Sequence, residues 1–118
     1  NPLAMAAGNA VLDVMLADGF LARVAAVGTF LRAEIEALAK RHPRVVAEVR
    51  GQGLLLGLKM QPENLAVVKA LQESGLLVVP AGDNVVRLLP PLIIENAHVK
   101  EAVAIMDRVF AALAERAA

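Results

Sequence analysis

The chain has 118 residues, enough for one domain with a substantial buried core, and its 12 basic and 12 acidic residues cancel to a formal net charge of zero. With no block of like charges there is no electrostatic footprint for nucleic acid or an anionic membrane, so any bound anion must be held by local groups. Cysteine is absent and aromatics make up 3% of the chain, which excludes disulfides, thiol nucleophiles and cysteine metal sites and argues against a base-stacking surface.

Residues 3–16 are strong helix formers with Met5, Gly8, Leu12, Met15 and Leu16 at helical spacing, and Pro2 suits a first turn, so a helix is expected up to the break at Asp18-Gly19. A second helix is expected from about Phe20, with Val24, Gly28, Leu31, Ile35 and Leu38 on one side, ending at His42-Pro43. These two alanine-rich helices are expected to pack against something close, including a part of the protein outside this chain. From Val45 to Met60 the pattern turns to strand, with Gly51 and Gly53 marking a bulge or tight turn between two strands, and Gly57 marking a close approach. Pro62 is expected to open a short helix bearing Leu65, Val68 and Leu71, with Gly75 as its stop. Strands follow at Leu76–Val79 and Val85–Leu89 around the turn-forming Pro80-Ala81-Gly82-Asp83-Asn84, and Pro90-Pro91 closes the second. The last helix is expected over about Ala97–Arg116, with Asn96 as cap and a stripe of Val99, Ala102, Val103, Met106, Val109, Phe110 and Leu113. The order α-α-β-β-α-β-β-α implies an α+β fold, a small and mostly antiparallel sheet of three or four strands covered by helices.

The apolar runs are too short to cross a bilayer and no leader-like segment opens the chain, so a cytoplasmic protein without membrane or nucleic-acid partners is expected. The opening Asn1-Pro2, without an initiator Met, reads as something cut from a longer polypeptide.

Arg87 stands out as one charge inside an apolar strand-like run. Its guanidinium is always charged and its planar fork matches a carboxylate, so two readings are open: a sheet-edge arginine paired with an exposed Asp or Glu, or a clamp for a ligand carboxylate. Arg50-Gly51-Gln52-Gly53 lacks the Lys-Ser/Thr pair of a phosphate loop and the third glycine of a dinucleotide fingerprint, and is read as a glycine-relieved bulge with Arg50 structural or solvated. His42 is placed at a helix end and His98 near a helix start, neither in a triad or metal spacing. Lys40, Lys59, Lys69 and Lys100 lie in contexts that do not suggest a desolvated Schiff-base amine, and Asp83 reads as a turn former. No catalytic residue and no metal ligand is expected within the chain.

Three ordered strings, NPLAMAAGNAVLDVM, VRGQGLLLGLKM and AGDNVVRLLPPLII, resemble the C-terminal part of class III pyridoxal-phosphate aminotransferases, the last string the acetylornithine aminotransferase branch in particular. The resemblance covers essentially the whole chain. It implies that residues 1–118 are the C-terminal small domain of a fold-type I enzyme, packed on a large pyridoxal-phosphate-binding domain of the same chain, within a homodimer. It implies transfer of the δ-amino group of N2-acetylornithine to 2-oxoglutarate, in arginine biosynthesis. Arg87, in the family's R-x-x-P-P position, would hold a carboxylate of 2-oxoglutarate or of the amino-acid substrate. The cofactor lysine and phosphate contacts would lie outside the chain, so 1–118 alone is expected to be inactive and to bind no pyridoxal phosphate. The alternatives are another class III member acting on ornithine, succinylornithine or 4-aminobutyrate, a free-standing amino-acid-binding module, or a purely structural interaction domain.

Overall fold

The computed structural model describes residues 1–116. Helices α1 (Pro2–Met15) and α2 (Phe20–Arg41) are followed by strands β1 (Val46–Gln52) and β2 (Leu55–Met60), helix α3 (Asn64–Glu73), strands β3 (Val79–Ala81) and β4 (Val85–Leu88), and helix α4 (Asn96–Arg116). The four strands form one antiparallel sheet in the order β1-β2-β4-β3. The expected α+β class and element order are found.

Alternation along the strands sends one set of side chains to the core. Leu56, Leu58 and Met60 of β2 and Val86 and Leu88 of β4 are buried with Leu31, Ile35 and Leu38 of α2, Val67 and Leu71 of α3, and Val99, Val103, Met106 and Phe110 of α4. The helical periodicities place these residues on single faces, so α2, α3 and α4 cover one side of the sheet and leave the other open. Two polar ties fix the helices. Arg23 of α2 donates to the carbonyls of Leu92 and Ile94, holding the segment that follows β4. At the other end His42 Nε2 lies 2.6 Å from Asp107 Oδ1 on α4 and its ring meets Phe110 edge-on.

Helix α1 differs from the rest. Asn1 caps it, accepting from the amides of Leu3 and Ala4, yet no residue of it is buried and Leu3, Met5, Val11, Leu12 and Val14 are exposed. It extends the molecule to 54 × 30 × 23 Å.

Several local expectations are corrected. The apolar run Leu76–Val79 is not a strand: β3 starts only at Val79 and includes Pro80, which an edge strand tolerates because one side of it needs no donor. The Leu76 amide is instead used to cap α3, donating to the Leu71 carbonyl beyond Gly75. Pro62 lies outside α3, whose cap is Glu63, and Asn96 is already helical, with the Glu95 carbonyl taking the first α4 amides. Of the bulge and the tight turn expected around Gly51 and Gly53, the turn is found, with Gln52 pairing directly with Leu55 across Gly53 and Leu54 and Gly51 still in β1; the register shift lies instead between Val46 and Glu48. Gly51 has φ 109 and a β-carbon there would stand 2.1 Å from the Leu55 carbonyl oxygen, so a side chain is excluded.

Candidate functional site

The open face of the sheet carries the charges that the core cannot. In register across it, Glu48 faces Lys59 and Lys59 faces Val85, while Arg50 faces Gly57 and Gly57 faces Arg87, with Val79 beyond. Gly82, Asp83 and Asn84 form the loop between β3 and β4, and both Asp83 and Asn84 have positive φ, a conformation their short polar side chains accommodate.

Asp83 is the hub of the face. Its carboxylate pairs with Arg50 Nη1 at 2.8 Å and with Lys59, while Arg50 Nη2 takes Glu48 at 3.0 Å. The hydrogen bonds from Lys59 and then Arg50 hold the Asp83 carboxyl below the usual carboxylate range, and those to Glu48 and then Asp83 raise Arg50 above its usual value. Two anions therefore offset two cations. Arg87 is left over: it is exposed and, among the described residues, its guanidinium is in no ion pair or hydrogen bond. Its strand, β4, lies between β2 and β3, so the edge-arginine reading is overturned, and the nearby carboxylate of Asp83 is already engaged. Beside Arg87 lies a shallow depression of about 280 Å³, bordered also by Arg50, Leu55, Gly57 and Val85. An exposed guanidinium next to an apolar-floored depression is suited to receiving the carboxylate end of a small molecule.

The strand that carries Arg87 is positioned by two amides that sequence reasoning passed over. Asn84 donates through Nδ2 to the carbonyls of Met60 and Pro62, and its Oδ1 accepts from the Asn64 amide, each at 2.8 Å. Asn64 Nδ2 in turn donates to the Ala81 and Val85 carbonyls. The pair staples the β3–β4 loop to the end of β2 and the start of α3. Its only sequence signal is an Asn in a Gly-Asp-Asn turn; the partner Asn64 is 20 residues away.

The remaining candidates have structural tasks. His42 binds Asp107, whose carboxyl it holds below the ordinary range, with Arg41 adding to the effect. His98 Nδ1 accepts from the Glu95 amide and caps α4. Among the described residues no group of three or more His, Asp or Glu is placed to hold a metal ion, and no helix is long and apolar enough to cross a membrane.

Residues 1–110 match the family described as aminotransferase class III. The chain belongs to the class III aminotransferases. Curated class III relatives include the acetylornithine aminotransferases of Brucella melitensis biotype 1, 52% identical over 86% of this chain and 25% of the relative, and of Agrobacterium fabrum, 48% identical over the whole of this chain and 30% of the relative. The solved acetylornithine aminotransferase of Elizabethkingia anophelis superposes on 93% of this chain and 28% of its own, with a TM-score of 0.84 and 33% identity. The chain thus spans less than a third of the length of these class III relatives.

Class III enzymes depend on pyridoxal phosphate, held through a lysine amine in a desolvated site. The lysines of this chain do not fit that task. Lys40, Lys69 and Lys100 are exposed, and Lys59, the most enclosed, is engaged by the carboxylate and carbonyl of Asp83.

Proposed function

We propose that this chain is the C-terminal small domain of an acetylornithine aminotransferase of the cytoplasm, acting in arginine biosynthesis by moving the δ-amino group of N2-acetylornithine to 2-oxoglutarate. The reading rests on relatives of that name at 48–52% identity and on one observation, the unpaired Arg87 on the open sheet face. Pyridoxal phosphate would supply the electron sink for the reaction, anchored by residues of a large domain outside this chain. What this chain contributes is binding and orientation. Arg87 holds a substrate carboxylate by its planar fork, and the rigid sheet fixes that carboxylate relative to the reacting end. The exposed apolar side chains of α1 fit an element covered by the rest of the enzyme, the large domain of the same chain in a homodimer.

Arg87→Ala in the complete enzyme is expected to lower kcat/KM for 2-oxoglutarate about 100-fold, the equivalent of about 2.7 kcal/mol for a lost charged hydrogen-bond pair. Arg87→Lys is expected to recover only part of that, because an ammonium cannot reproduce the two parallel bonds. Wild-type kcat/KM in both variants would refute the role of Arg87, and a complete enzyme that ignores N2-acetylornithine would refute the substrate.

A further inference from the structure

Gly57 occupies the centre of a cross-strand row that runs Arg50, Gly57, Arg87 over three adjacent strands. With strands about 4.8 Å apart, the two arginine backbones stand about 10 Å from each other, and the residue between them has no side chain. The depression beside Arg87 owes its floor to this gap. A β-carbon on Gly57 would lie 2.8 Å from Cγ1 of Val85, closer than such atoms approach without something moving. Val85 has little room to yield: it is 7% exposed, and its branched β-carbon leaves few allowed χ1 rotamers on a backbone held by pairing on both sides. It also sits two residues before Arg87 on the same face of β4, so displacement of Val85 is passed to the arginine.

We propose that Gly57 is a positioning residue for Arg87, and that its bare floor, with Val85 as the wall, sets the space into which the substrate carboxylate enters. The inference rests on the carboxylate-binding reading of Arg87 given above. Charge favours the same geometry. Arg50, on the far side of Gly57, is neutralised by Glu48 and Asp83, so the carboxylate is drawn to the Arg87 side of the row. A substituent at position 57 therefore acts on affinity for the carboxylate substrate, while the residues that perform the chemistry are untouched.

The test uses the complete enzyme and steady-state kinetics at saturating amino donor. Gly57→Ala is expected to raise KM for 2-oxoglutarate about tenfold with kcat held within about threefold, the pattern of lost binding rather than lost chemistry. The double variant Gly57→Ala with Val85→Ala removes the atom that the new β-carbon strikes, and its KM is expected to return to within about threefold of Val85→Ala alone. Val85→Ile, which fills the depression from the wall and leaves Gly57 in place, is expected to raise KM as well and serves if Gly57→Ala does not fold. An unchanged KM in Gly57→Ala, absence of rescue in the double variant, or an unchanged KM in Val85→Ile when Gly57→Ala does not fold overturns the proposal. If these occur while Arg87→Ala still raises KM, only the role of Gly57 falls; if Arg87→Ala is itself silent, the carboxylate reading falls first.

Discussion

Asn84 is the residue whose removal is most informative about how this sheet is held. Its side chain makes three hydrogen bonds, to the Met60 and Pro62 carbonyls and from the Asn64 amide, and its backbone has φ 55. At about 1 kcal/mol net for each bond, Asn84→Ala loses about 3 kcal/mol, and placing a β-branchless but chiral residue in the left-handed region adds about 1 kcal/mol. Asn84→Gly loses the same three bonds without the backbone penalty, so it is expected to be less destabilised than the alanine variant by about 1 kcal/mol. Equilibrium urea unfolding followed by far-ultraviolet circular dichroism, extrapolated linearly to water, measures both differences. A loss below about 1 kcal/mol for Asn84→Ala would refute the claim that the two amides staple the loop, given the size of the bonds removed. Equal losses for alanine and glycine would refute the backbone part alone.

Two further outcomes follow from the same structure. Hydrogen bonding to His42 and Arg41 lowers the Asp107 carboxyl in the folded state, so its stabilising contribution is complete above the unfolded carboxylate value near 4 and is lost as pH falls through the lower folded value. The stability advantage of the wild type over Asp107→Asn is therefore expected to shrink as pH drops below about 4 and to hold at neutral pH; urea unfolding at a series of pH values checks this. Deleting residues 1–16 removes no buried side chain, so the unfolding midpoint of the chain is expected to shift by the equivalent of no more than about 0.5–1 kcal/mol in urea unfolding. A collapse of the folded signal would show that α1 is integral to the core.

The elements legible in the sequence are those whose pattern is local. The spacing of Leu31, Ile35 and Leu38 marks α2, and that of Val99, Val103, Met106 and Phe110 marks α4, because a helix that packs on one side must repeat its apolar residues every three to four positions. Alternation likewise separates Arg87 from Val86 and Leu88. Leu76–Val79 misled for a related reason: an apolar run has the composition of a strand whether or not a neighbour offers it a ladder, and here the start of β3 is set by the stapled turn after it. The three ordered strings carried the family because motif order needs no coordinates.

What only the tertiary structure decided is who partners whom. Asp83 lies four residues before Arg87, close enough in sequence to be its natural carboxylate, yet it is taken by Arg50 of β1 and Lys59 of β2. Those residues reach it because pairing of β2 with β4 lays the β1–β2 hairpin beside the β3–β4 turn on one sheet face, and register, not proximity along the chain, assigns the contacts. The sequence by itself determined that an arginine would stand in an apolar strand. Sheet order decided that the strand would be an interior one, that the local anions would be spent elsewhere, and that Arg87 would face open space beside a glycine.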